Sequence, residues 1–161
     1  MSALPFTVAL LGAESTGKSR LAQELSEQLR TQHGLRAEVV TEHLRRWCEQ
    51  QGRAPVQHEQ AALAHTQSQH IAQARTTPGV QVVLADTTAL MVAAYSEQYF
   101  NDLSLWPRAL ADHSTCDLTL LMGLDLPWVD DGLCRVHREF GFAEKPVACQ
   151  LFPFVLAPDD A

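Results

Sequence analysis

Gly12-Ala13-Glu14-Ser15-Thr16-Gly17-Lys18-Ser19 decides the fold, because it fits G-x-x-x-x-G-K-[ST], the phosphate-binding loop of nucleoside-triphosphate enzymes. The residues on either side are the ones such a loop needs. Upstream, Phe6-Thr7-Val8-Ala9-Leu10-Leu11 is a short apolar run suited to a buried strand. Downstream, Leu21, Leu25 and Leu29 recur every four residues, with Ala22 beside them, in a segment otherwise rich in Glu, Gln and Arg. That is one apolar stripe on a helix. Strand, loop and helix start therefore follow in the order that aims loop amides, first-turn N–H groups and the positive helix end at one point, where they hold a polyanion. On this reading Gly12, Ala13, Glu14, Ser15, Thr16, Gly17, Lys18, Ser19 and Arg20 surround a nucleotide. Lys18 lies along its β- and γ-phosphates, and the Ser19 hydroxyl joins a Mg²⁺ shell. The chain has two lysines, and one of them stands in this loop.

Working outward, 161 residues make one domain, 1–161, with room for a sizeable core. A net charge of −7 and the absence of any basic run argue against a nucleic-acid-binding surface. No segment approaches the ~18–20 apolar residues of a membrane span, and no basic stretch precedes an apolar run at the N-terminus. Cys48, Cys116, Cys134 and Cys149 are scattered without a C-x-x-C pair, which reads as free thiols in a reducing cytoplasm.

The first helix is expected to stop at Gln32-His33-Gly34, where Gly34 is a natural terminator. Ala37-Glu38-Val39-Val40-Thr41 reads as a second strand. Residues Glu42 to about Gln51 read as a helix with Leu44, Trp47 and Cys48 on its buried side, ended by Gly52. Pro55 opens a new segment, and Gln57 to Arg75 reads as a long helix of weak amphipathicity. Its His58, His65 and His70 lack the i, i+4 pairing of a helical metal site and are expected at a solvated surface. After the turn at Thr77-Pro78-Gly79, Val80-Gln81-Val82-Val83-Leu84-Ala85 is a third strand that runs into Asp86-Thr87-Thr88. Met91, Val92, Tyr95 and Tyr99 mark an amphipathic helix, a short helix follows from Trp106-Pro107 to His113, and Leu118 to Gly123 is a fourth strand. Strands alternating with helices, several of them near-continuous apolar runs, mean an α/β fold with a mainly parallel sheet covered on both faces. With the phosphate loop after the first strand, this is a P-loop NTPase three-layer sandwich of the small-molecule-kinase type, whose ligands sit at the carboxyl ends of the strands.

Candidate residues stand at those ends. Asp86 occupies the place of a Mg²⁺-holding aspartate, although Asp before Thr-Thr-Ala-Leu equally suits a helix cap. Glu42 and Arg45, three apart on a helix, face the same way. They suit either an acceptor site, with the carboxylate taking a hydroxyl proton and the arginine steadying charge, or a surface ion pair. Trp128, Asp130, Asp131, Arg135 and Arg138 follow the fourth strand and suit a loop that hydrogen-bonds a sugar and reaches over phosphates, or else an ordinary acidic surface loop.

The Gly12–Ser19 loop, Glu42-x-x-Arg45, Asp86-Thr87 and Pro127-Trp128-Val129-Asp130-Asp131-Gly132-Leu133 stand in the same order as in ribosylnicotinamide kinase-like P-loop ATPases, which the chain resembles over roughly residues 6–135. The resemblance implies ATP- and Mg²⁺-dependent phosphorylation of the 5′-hydroxyl of nicotinamide riboside, a step of NAD salvage. It implies catalytic roles for Lys18, Glu42, Asp86, Arg135 and Arg138, with Ser19 and Asp86 at the metal. Glu42, Arg45, Asp86, Thr87, Trp128, Asp130 and Asp131 would surround a small-molecule acceptor. Two departures qualify it. Thr41 stands where the family carries an aromatic residue that would meet the nicotinamide ring. From about residue 139, a tail holding Pro146, Pro153 and Pro158 replaces the expected helix and final strand, and it reads as divergent or truncated. Another metabolite kinase of the same fold and a non-catalytic ATP-binding relative are the alternative readings. The chain contains no guanine-reading N-K-x-D motif, which favours ATP over GTP.

Overall fold

The computed structural model describes residues 4–13 and 16–123. In order these form β1 (Phe6–Leu11), α1 (Lys18–His33), β2 (Ala37–Val40), α2 (His43–Gln51), α3 (Gln57–Ala74), β3 (Val82–Asp86), α4 (Ala89–Phe100), α5 (Trp106–His113) and β4 (Leu118–Leu121). Glu14, Ser15, Trp128, Asp130, Asp131, Arg135, Arg138 and the Pro- and Phe-rich tail lie outside the described residues.

The four strands make one parallel sheet in the order β2-β3-β1-β4. Its two inner strands are apolar along nearly their whole length because both of their faces are covered. On one face Val8 and Leu10 of β1 and Val82 and Leu84 of β3 pack with Ala22, Leu21, Leu25 and Leu29 of α1. On the other face Val83 and Ala85 of β3 and Val40 of β2 meet Ile71 and Ala74 of α3. A third cluster joins Leu11 to Leu63 and Ala64 of α3, to α4 and to Ala109 of α5. The alternation of side chains along each strand thus feeds two cores from one sheet.

Strand register is pinned at both ends. At the entry to β4, the Asp117 N–H donates to the Thr7 carbonyl at 2.8 Å, and the Thr7 N–H donates to the Asp117 carboxylate at 2.7 Å. At the exit of β3, the Thr87 N–H donates to the Leu10 carbonyl at 3.0 Å. Helix α1 stops as its sequence requires. Gly34 adopts φ 64, and the Gly34 and Leu35 N–H groups close back on the Arg30 and Leu29 carbonyls, satisfying acceptors that a helix end otherwise leaves open.

Several boundaries differ from the sequence reading. Regular β3 pairing begins at Val82 and takes in Asp86 as the last strand residue. Gln81 still exchanges backbone bonds with Arg36 and Phe6, so the upstream boundary is soft. β4 ends at Leu121. Helix α4 is not simply amphipathic: Ala89 to Ala93 are buried all round, while Tyr99 is exposed, because the helix threads between α3 and α5 before it reaches the surface. In α2 Leu44 and Trp47 are partly covered and no residue is fully buried.

Leu84 is 1% exposed and lies in the centre of the α1-facing core. Leu84→Ala is expected to destabilise the fold by about 2–5 kcal/mol, through lost burial and the cavity left behind. Urea unfolding should show a lower midpoint with an unchanged slope.

Candidate functional site

The parallel register brings the carboxyl ends of all four strands to one edge: Val40 pairs with Ala85, Leu10 with Asp86, and Leu11 with Leu121. The phosphate loop leaves β1 at that edge. Gly12 has φ 146, and a Cβ there would meet the Met122 Cβ at 3.0 Å and the Thr16 Oγ1 at 3.2 Å. Both conformation and space therefore demand glycine. Thr16 Oγ1 donates to the Ala13 carbonyl at 2.8 Å, which ties the two ends of the loop together. Gly17 is the N-cap of α1 and brings no side chain, no side chain caps the helix among the described residues, and the first turn carries no acidic residue. A helix start left in this condition suits an incoming anion.

Lys18 is 7% exposed, and its ammonium donates to the Gly12 carbonyl at 2.9 Å and the Ala13 carbonyl at 2.6 Å. It is folded onto the loop that would hold the phosphates. Ser19, the next residue, donates its hydroxyl to Asp86 Oδ2 across the sheet edge. Asp86 is 2% exposed, and its second oxygen, Oδ1, is buried with no hydrogen-bond partner among the described residues. A buried carboxylate oxygen without a donor is costly. A hydroxyl and a carboxylate side by side, with an oxygen to spare, fit Mg²⁺, which prefers a few protein oxygens together with phosphates and water. Among the described residues no three His, Cys, Asp or Glu side chains gather into a cage of their own.

Asp86 had two readings from sequence, metal holder or helix cap. The cap of α4 is instead Thr88, whose Oγ1 accepts from the Leu90 N–H at 3.3 Å. Between them Thr87 adopts φ 67, which for a β-branched residue costs about 1–3 kcal/mol. That conformation separates the carboxylate from the helix start it would otherwise cap.

Glu42 is the N-cap residue of α2 and pairs with Arg45 at 3.7 Å, both side chains being partly exposed. Its place two residues beyond Val40 puts it at the same edge as Asp86. Arg53 lies 4.8 Å over the Trp47 ring and holds Glu59 through two 2.7 Å bonds, linking the end of α2 to the start of α3. Arg20 is exposed on α1 and pairs with Glu24 at 2.7 Å.

The sequence reading missed Gln67. It is 2% exposed in the middle of α3, its Oε1 accepts from the His43 N–H at 2.8 Å, and its Nε2 donates to the Thr87 carbonyl at 3.2 Å. A signal was present: Gln60, Leu63, Gln67, Ile71 and Ala74 share the buried helix face, and a glutamine among apolar residues there needs polar partners. His70, expected at the solvated surface, is instead partly covered and packs edge-on against His43 at 5.3 Å. Cys48 and Cys116 are half-buried free thiols. A cavity of about 180 Å³ between α3 and α5, with Arg75, Arg108, His113 and Cys116 in its wall, shares no residue with the phosphate loop.

The family model described as an AAA domain matches residues 7–145. The chain is also similar to the "Trifunctional NAD biosynthesis/regulator protein NadR" of Salmonella typhimurium (strain LT2), at 30% identity over 131 residues, which is 79% of this chain and 30% of that protein. The chain therefore spans about a third of that relative's length.

Two expected outcomes follow from these contacts. Gly12→Ala should weaken nucleotide binding by tenfold or more, because the loop has to move off Met122 to accommodate the methyl group; titration calorimetry with Mg-ATP measures it. The second concerns histidines. His113 bridges Thr88 at 3.2 Å and Thr119 at 3.0 Å, and burial pushes its pKa below the ordinary 6.5. Burial, then the charges of His70 and Arg46, lower His43 in the same direction. The unfolded chain thus takes up these protons first, and stability present above about pH 6.5 is lost as the pH falls toward the lower folded values. The melting temperature should drop between pH 7.5 and 5.5, and His113→Gln should flatten that slope.

Proposed function

Because the chain belongs to the AAA-domain family of P-loop proteins, which makes it a nucleotide-binding, kinase-like protein, we propose that it is an ATP- and Mg²⁺-dependent kinase acting on the 5′-hydroxyl of a nucleoside, namely nicotinamide riboside. The observation that carries this reading is the contact between the phosphate-loop hydroxyl of Ser19 and the buried carboxylate of Asp86, whose other oxygen lacks a donor among the described residues. The NAD-related name of the Salmonella relative and the order of motifs favour the riboside as acceptor.

On this reading the first-turn amides of α1 and the loop amides bind the phosphates, and Lys18 exchanges its two loop carbonyls for β- and γ-phosphate oxygens. Ser19 and Asp86 would hold Mg²⁺, which would neutralise charge on the transferring phosphoryl group. Glu42, at the end of β2, accepts the proton of the attacking hydroxyl, and Arg45 keeps that carboxylate oriented. Burial of Lys18 and Asp86 places these charges where water screens them least. Among the described residues no helix is long and apolar enough to cross a membrane, and the acceptor is a small molecule on this reading.

Thr41 favours a second reading, in which the same machinery serves a different nucleoside or metabolite, since a threonine offers no stacking face to a nicotinamide ring. ADP release from Mg-ATP, measured with and without nicotinamide riboside and then with a panel of nucleosides, separates the two. Riboside-stimulated release is expected. Stimulation by another nucleoside alone would move the acceptor, and ATP binding without any stimulated turnover would indicate a non-catalytic relative. Lys18→Ala should lower turnover by roughly 100-fold or more. Glu42→Gln should lower kcat by about 100-fold while leaving ATP affinity within about twofold.

A further inference from the structure

We infer that Gln67 is a positioning residue, which sets the spacing between the acceptor end and the metal end of the site by joining their two loops through one amide. The inference rests on the kinase reading for the roles of Glu42 and Asp86. Each bond of Gln67 lands one residue from a proposed site carboxylate. Its Oε1 meets the N–H of His43, next to Glu42, and its Nε2 meets the carbonyl of Thr87, next to Asp86.

The chemistry of the two partners explains why the side chain is glutamine. A backbone N–H can only donate and a backbone carbonyl can only accept, so the group between them has to accept at one end and donate at the other. An amide does both, and the polarity of its partners fixes which atom points which way. Ionised glutamate would set a second acceptor against the Thr87 carbonyl, and lysine or arginine could not answer the His43 N–H.

Each partner also needs what it receives. His43 is the first residue of α2, so its N–H has no acceptor within its own helix, and Glu42 makes no side-chain cap. Gln67 caps α2 from a distant helix. Thr87 is left-handed at φ 67, a conformation that turns its carbonyl out of the sheet ladder and toward α3, where Nε2 meets it. The donor rewards that turn, and with it the orientation in which Asp86 faces Ser19. Because Gln67 is 2% exposed on a packed helix face, water does not compete for either bond.

A glutamine that only filled space would behave differently from one that holds two loops, and two substitutions separate the cases. Gln67→Met keeps the volume and removes both bonds. Gln67→Asn keeps the amide but is one methylene short, so it leaves a small void and reaches one partner at most. The parent is assayed first for riboside-dependent ADP release, and both variants are checked for cooperative thermal unfolding. With an active parent, kcat should fall about 10- to 100-fold in Gln67→Met and less in Gln67→Asn, with KM for ATP within about threefold of the parent. Parent-like kcat in Gln67→Met with the larger loss in Gln67→Asn is the packing order and overturns the inference. So does a loss of kcat matched by an equal loss of ATP affinity. A parent that transfers phosphate neither to the riboside nor to any nucleoside of the panel sinks the kinase reading by itself. The inference is then read from calorimetry, where Gln67→Met should need severalfold more Mg²⁺ to bind ATP at the parent's affinity, and an unaltered Mg²⁺ response overturns it.

Discussion

Leu10 and Asp86 stand opposite each other in the parallel ladder of β1 and β3, and this pairing sets where the phosphate loop lies relative to Asp86. Both strands are buried on both faces, so their register is held by two independent cores. A slip of one residue would send Val83 and Leu84 to the wrong sides of the sheet. Hydrophobic packing on either face therefore fixes the distance between the phosphate loop leaving β1 and the carboxylate ending β3. The Ser19–Asp86 contact is a consequence of that packing rather than its cause.

The same edge gathers several costly features. It holds a buried carboxylate oxygen without a donor among the described residues, a buried ammonium and a left-handed threonine. Each costs free energy that a protein selected for stability alone would remove. They persist because strands whose apolar side chains face two cores can offset them. Costly features gathered around one phosphate loop mark that end of the sheet as a place where function competes with stability.

Most of the architecture was legible in the residues. The loop from Gly12 to Ser19, the apolar runs of β1 and β3 and the stop at Gly34 each report on a local constraint, and local constraints are written in consecutive residues. Gln67 was hidden for the opposite reason. Its partners His43 and Thr87 are 24 and 20 residues away, and only the fold makes them neighbours. The ambiguity at Asp86 had a similar origin, since Asp86, Thr87 and Thr88 all suit a helix start. The backbone turn at Thr87 decides that Thr88 caps and Asp86 does not. His70 was misjudged because period alone cannot show that the face it occupies meets His43.

The two bonds from the Lys18 ammonium to the Gly12 and Ala13 carbonyls have a further consequence. The long side chain has already given up its rotamer freedom in folding, so that loss is not charged again when a ligand arrives. The carbonyls also set a threshold. A ligand has to offer the ammonium more than its present partners do, the two carbonyl oxygens among them, and a closely spaced pair of phosphates meets that condition far better than a single phosphate or a carboxylate. On the kinase reading, the loop would thereby discriminate by charge density before any part of the site reads the base or the sugar.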